Sequence, residues 1–282
     1  MIGFDEAAVE RAAAGLRLKL PRGPHRGRVG DVRASSMGSS LELHDFRLYQ
    51  PGDDIRHIDW NAVARTGEVV LRVRRDEVSP RVEVVFDASK SMRVSEAKAA
   101  RAKEIALFAC VLGLRGGHDV SLIVAGATGY KAAGAAARAL LRAEPLDGRA
   151  SFDDALRRAP PLGRCGLRIV VSDLLFASEA APFAERLARG AAGLVLVQAL
   201  DVEDHEPTAG AGARLVDAES DDFLDRILTP AVIDAYRTRF LAHQKAWREA
   251  ARRVAASLVT VSTDDNLATH AEGALAILTE AL

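Results

Sequence analysis

The chain has little cysteine, few aromatics, no long apolar run and almost no net charge. Cys110 and Cys165 are its only cysteines, and neither has a C-x-x-C partner. A disulfide framework and a cysteine-rich zinc site are thereby excluded, and two buried thiols suit a reducing compartment. The formal net charge is -1, so bulk electrostatics favour neither nucleic acid nor an anionic membrane. Apolar stretches such as Gly193-Leu-Val-Leu-Val197 are far too short to span a bilayer. Asp5, Glu6, Glu10, Arg11, Arg17 and Lys19 interrupt any secretory leader. A cytoplasmic protein with no membrane span is the expectation. Walker A loop, zinc motif and Ser-His-Asp order are absent as well. The glycines of Gly113-Leu-Arg-Gly-Gly117 follow a helical pattern and precede a strand, the wrong order for a phosphate loop, so they read as a helix end.

What is present is an ordinary globular composition, 49% hydrophobic and 27% charged over 282 residues. Residues 1–20 read as an amphipathic helix and 21–38 as irregular chain. Leu41–Tyr49 and Glu68–Arg75 read as strands. Between them, Gln50-Pro-Gly-Asp-Asp54 is a turn, because proline presets φ and glycine permits a positive one. From Arg81 onward, strands at 82–86, 119–125, 167–172, 193–199 and 258–261 alternate with helical patterns at 95–114, 131–142, 151–158 and 180–189. Such alternation predicts βαβ units and a largely parallel, doubly wound α/β sheet. Ile233, Tyr236, Phe240, Trp247, Ala250 and Val254 form the apolar stripe of a long helix, with His243 on it as an interior, satisfied histidine. A last helix is predicted over 267–282. The division is an N-terminal β-containing segment, 1–80, and an α/β domain, 81–282.

Arg81-Val-Glu-Val-Val-Phe-Asp-Ala-Ser-Lys-Ser-Met92 carries the chemistry. An apolar strand runs into Asp87, Ser89 and Ser91, three oxygen side chains at alternate positions. Magnesium takes oxygen ligands and keeps several waters. A second apolar run, Ile169-Val-Val-Ser-Asp173, ends in another carboxylate, and Ser151 stands on a glycine-led loop between the two. In a parallel sheet all of these lie outside the carboxyl ends of the strands, where ligands bind. Asp153 and Asp154 are near enough to rival Ser151. The competing reading is a set of hydroxyls that cap the helix starting near Ser95.

Asp53, Asp54, Arg56, Asp59 and Arg65 form a charged cluster. It is either a partner-reading surface or a salt-bridge network holding the segment in place. Ile58 and Trp60, interleaved with the charges, predict that one face is buried. His57 with Asp59 lacks a nucleophile. Arg72, Arg74 and Arg75 read as a solvated strand face.

The Asp-x-Ser-x-Ser run, the loop hydroxyl and the strand-end aspartate resemble the metal-ion-dependent adhesion site of von Willebrand factor A domains. The resemblance implies Mg²⁺ or Mn²⁺ on Ser89, Ser91 and Ser151 directly, with Asp87 and Asp173 direct or through water. Arg47-Leu-Tyr-Gln-Pro-Gly-Asp-Asp-Ile-Arg-His-Ile-Asp-Trp-Asn-Ala-Val-Ala-Arg-Thr66 resembles the signature of the bacterial domain-of-unknown-function family fifty-eight. Members typically stand beside MoxR-type AAA+ ATPases, which implies such an ATPase and a client protein as partners. The expected function is non-enzymatic, metal-dependent protein binding. The alternative is a phosphohydrolase acting through Asp87. Ser89 stands where that chemistry commonly has a second aspartate as general acid, and serine cannot do that work near neutral pH.

Overall fold

Successive residues of the strand Leu167–Ser172 are all buried, which requires a sheet covered on both faces. A computed structural model, describing residues 3–21, 45–49, 58–73, 81–207, 210–216 and 223–282, shows that arrangement. In chain order the elements are α1 (Glu6–Ala12), β1 (Leu16–Leu18), β2 (Asp45–Leu48), α2 (Trp60–Thr66), β3 (Val70–Val73), β4 (Arg81–Asp87), α3 (Glu96–Arg115), β5 (Asp119–Ala125), β6 (Tyr130–Ala133), α4 (Ala137–Ala143) and α5 (Phe152–Arg158). There follow β7 (Leu167–Ser172), α6 (Ala180–Ala188), β8 (Leu194–Leu200), α7 (Val202–His205), β9 (Gly210–Val216), β10 (Phe223–Leu228), α8 (Pro230–Arg253), β11 (Ser257–Ser262), α9 (Leu267–Glu272) and β12 (Thr279–Ala281).

The main sheet has six strands in the order β11-β8-β7-β4-β5-β6. Only β6 runs antiparallel to its neighbour. The chain leaves β4 toward β5 on one side and returns to β7 on the other. The strand order therefore reverses at β4, and in sheets of this kind ligands bind outside the carboxyl ends of the strands at such a point.

Because side chains alternate across a strand, the sheet feeds two cores. Val84, Phe86, Leu122, Ile169 and Val197 meet α3, whose Ala99, Ala102, Ala106 and Ala109 allow close approach; Val9 of α1 and Leu18 of β1 join this cluster. Val85, Ile123, Val170 and Leu196 meet Phe152, Phe183 and Trp247 on the other face. There the Phe176–Trp247 and Phe183–Trp247 centroids are 5.7 and 5.9 Å apart, in edge-to-face geometry. Each such large side chain contributes about 1.5–3 kcal/mol by burial.

Three predicted elements change. The helix expected over 131–142 begins with strand β6, and its helical part is α4 alone. Residues 130–133 pair with β5, and an available sheet edge outweighs the helix preference of alanine. The last helix stops at Glu272. Thr279–Ala281 instead pairs antiparallel with Leu16–Leu18, so the expected helix over 1–20 is limited to α1 for the same reason. The β9–β10 hairpin had no counterpart in the sequence reading. Among the described residues, no helix is long and apolar enough to cross a membrane.

Candidate functional site at the strand switch

The strand expected over 82–86 runs one residue further at each end, Arg81–Asp87, so that Asp87 is its last residue. Asp87 is fully buried. Its Oδ1 accepts from the Ser89 backbone N–H at 2.9 Å, and its Oδ2 accepts from Ser172 Oγ at 2.6 Å. Burial, then the neighbouring Asp173 charge, pushes the Asp87 carboxyl up to about 7 against those hydrogen bonds. Ser89 Oγ and Ser91 Oγ lie 3.0 Å apart, so Asp87, Ser89 and Ser91 form one patch of oxygens. A short 3-10 turn, Lys90–Arg93, carries Ser91 and buries Met92.

The loop before α5 is stitched to this patch by main chain. The Lys90 N–H donates to the Gly148 carbonyl at 2.8 Å, and the Gly148 N–H donates to the Ala88 carbonyl at 3.2 Å. A Cβ at Gly148 would stand 2.8 Å from the Ala88 oxygen, so only glycine permits this approach. Ser151 therefore belongs to a loop anchored at the site. Its hydroxyl, however, donates to Asp154 Oδ2 at 3.1 Å and accepts from the Asp154 N–H at 3.3 Å, capping α5. Asp153 is committed elsewhere, to Ser178 at 2.8 Å and to Arg157 and Arg186.

On the neighbouring strand, Asp173 follows β7. Its N–H meets Met92 Sδ at 3.1 Å, its Oδ1 accepts from the Leu175 N–H at 3.0 Å, and its carbonyl accepts from Gln198 Nε2 at 2.9 Å. Its Oδ2 is 3.0 Å from Lys98 Nζ, which also reaches Asp204 Oδ2 at 2.9 Å. Burial pulls the Lys98 ammonium down, and the Asp173 and Asp204 carboxylates more than offset this, holding it above its ordinary value. Leu174 has φ +56°, a conformation that is strained for a side chain of this size. Its N–H donates to Ser172 Oγ at 3.0 Å, and its carbonyl lies 2.6 Å from His243 Nε2. His243 is thus satisfied, as its place on the stripe implied.

The donor set suits a hard cation in kind. A buried carboxylate and two hydroxyls stand together at the end of β4, with the Asp173 carboxylate as neighbour. Lys98 pairs with Asp173 and Asp204, and Asp87 has no cation against it; a divalent ion would favour its charged form. Among the described residues, no group of three or more His, Cys, Asp or Glu side chains is arranged to hold a metal. Any ion here depends on the serines.

The other candidate cluster looks different. Asp59 caps α2, its Oδ1 accepting from the Asn61 and Ala62 N–H groups at 3.0 and 3.1 Å. Trp60 is 66% exposed, which corrects the expectation of a buried face there. The tryptophan opens α2 with its ring toward solvent, while Ile58 before it is half-buried. Arg65 is exposed in the last turn of α2. Arg47 lies on β2, paired with Leu71 of β3. Asp53, Asp54, Arg56 and His57 lie outside the described residues, as do Arg74 and Arg75.

Residues 45–259 match the family described as "Protein of unknown function DUF58". The chain belongs to that family. DUF58 relatives include "Uncharacterized protein Mb1516" of Mycobacterium bovis and "Uncharacterized protein Rv1480" of Mycobacterium tuberculosis. Each is 27% identical, over 83% of this chain and 78% of the relative. Two solved structures are similar at 16% identity. The "conserved hypothetical protein BatB from Bacteroides thetaiotaomicron" covers 68% of this chain and 93% of its own, with a TM-score of 0.39. An "aerotolerance-related membrane protein from Bacteroides fragilis" covers 70% and 96%, with a TM-score of 0.40.

Three participants in this DUF58 site were missed by the sequence reading: Ser172, Lys98 and Asp204. A buried lysine needs a partner, and Lys98 does fall among the buried alanines of α3. Its partner Asp173 is 75 residues away along the chain, beyond any local pattern. Ser172 was passed over as the last residue of an apolar strand.

Proposed function

We propose that this DUF58 protein is a non-enzymatic, divalent-metal-dependent protein-binding module of von Willebrand A type. It works with a MoxR-type AAA+ ATPase on the maturation or assembly of a client protein, in the reducing cytoplasm that its two buried free thiols suit. The carrying observation is the assembly of Asp87, Ser89 and Ser91 at the strand switch, with the Asp173 charge beside Asp87. Hydroxyl ligands leave a Mg²⁺ or Mn²⁺ ion electron-poor. A carboxylate from a partner would replace a bound water and add a charge-assisted contact. Ser151, on the loop anchored at Gly148, would join the shell on giving up its bond to Asp154 Oδ2.

The test is capture of a MoxR-type ATPase, or of its client, by the full chain. Yield should fall in EDTA, recover with Mg²⁺, and fall equally for Asp87→Ala without unfolding. A yield indifferent to both treatments refutes metal-bridged recognition. The exposed Trp60 end of α2 then becomes the contact surface to test.

A further inference from the structure

We propose that Lys98 is a resident cation of this site. It turns Asp173 away from the divalent ion, so that Asp173 acts through Lys98 or water, and it holds the site's metal affinity down. This rests on the metal-binding reading above and specifies its regulation.

The geometry carries the argument. Lys98 sits in the first turn of α3, where its own N–H donates to the capping Ser95 Oγ at 3.0 Å. Its side chain is 1% exposed and bridges Asp173 Oδ2 and Asp204 Oδ2. Asp204 is not free to leave: the same oxygen accepts from the Asp201 N–H at 2.8 Å. Asp201 in turn binds Ser95 Oγ, and Thr263 Oγ1 at 3.3 Å. Ser95 thus caps the helix that carries Lys98 and also holds the turn that carries Asp204. With Oδ1 of Asp173 on the Leu175 N–H and Oδ2 on Lys98, both oxygens are engaged away from Asp87.

Two consequences follow. Removing the ammonium would leave two carboxylates without a counter-charge, which is strongly unfavourable in a buried site. Lys98 therefore supplies the counter-charge that holds these two carboxylates together. An ion bound at Asp87, Ser89 and Ser91 would then share the neighbourhood of Asp173 with a fixed like charge, in low-polarity surroundings that screen it little. Weak intrinsic affinity is the result, and a partner carboxylate becomes necessary for tight binding.

The test uses the full chain as wild type, Lys98→Met and Lys98→Gln, the last retaining hydrogen-bond donors without charge. Mg²⁺ binding is read by calorimetry, and thermal melting is recorded in chelator and in Mg²⁺. Both variants should bind Mg²⁺ at least about tenfold tighter than wild type, since a nearby unit charge is removed. Their melting points should also rise with Mg²⁺ far more than the wild type's does. A variant that folds only in Mg²⁺ supports the same conclusion. Equal affinities in wild type and variants overturn the role of Lys98 while leaving the metal site intact. Folded variants and wild type that all ignore Mg²⁺ instead refute the metal reading itself. Variants that fail to fold with or without Mg²⁺ show that an ion cannot replace the ammonium, and so overturn the proposal as well.

Discussion

Ser172 Oγ donates a 2.6 Å hydrogen bond to Asp87 Oδ2, joining the ends of two neighbouring parallel strands. Strand register makes this contact: Phe86 pairs with Val171, so the next residues of β4 and β7 stand side by side. The same hydroxyl accepts from the Leu174 N–H and so supports the left-handed turn after Asp173. Ser172→Ala should remove both contacts and leave a buried carboxyl short of a partner, costing roughly 1–3 kcal/mol. Urea unfolding that shows no loss of stability would disprove this support.

Asp87→Ala should abolish Mg²⁺ binding, and Ser151→Thr should preserve it, because threonine keeps the hydroxyl. Calorimetry on the two purified variants decides the matter. Unchanged binding after Asp87→Ala removes that residue from the ion's shell.

A second buried ion pair lies near the opposite end of the sheet. Arg168 Nη2 is 2.7 Å from Glu83 Oε2, and both side chains are fully buried. Lys131 Nζ and the Gly163 N–H complete the carboxylate's partners at 2.6 and 3.0 Å. Burial pushes the Glu83 carboxyl up, and the hydrogen bonds from Lys131 and Arg168 outweigh it, leaving it below its ordinary value. Arg168→Met should cost about 3–5 kcal/mol at neutral pH by stranding the carboxylate. The ion pair's contribution is complete above the unfolded glutamate's pKa of about 4.3. It is lost as pH falls through the lower folded value. The difference between wild type and Arg168→Met should accordingly shrink in acid. Denaturant curves at several pH values with a constant gap would contradict the assignment.

At the α2 end, Asp59→Ala should destabilise the protein by about 0.5–2 kcal/mol through loss of the cap. Trp60→Ala should change stability by no more than about 0.5 kcal/mol, since the ring is exposed. Parallel thermal melts of the two variants separate the structural role of one neighbour from the surface role of the other. A large loss for Trp60→Ala would show that the ring is packed.

Much of the fold was legible. The strands of the parallel sheet are short apolar runs bounded by turn residues, and their alternation with helical patterns identifies the architecture. The Asp87, Ser89 and Ser91 cluster was legible too, because its spacing is local. The strand at 130–133 was not, since Tyr-Lys-Ala-Ala has no strong preference of its own and takes the form that the β5 edge offers. The β1–β12 pair was hidden because it joins the two ends of the described chain, Leu16–Leu18 with Thr279–Ala281.

Residue type and short-range spacing thus determined that Asp87, Ser89 and Ser91 would cluster where β4 ends. Only the tertiary structure decided what stands opposite them. Lys98, Ser172 and Asp204 reach the site from α3, β7 and the turn after β8. Parallel strand order brings these segments together, and contacts across such separations depend on packing, which no local pattern encodes.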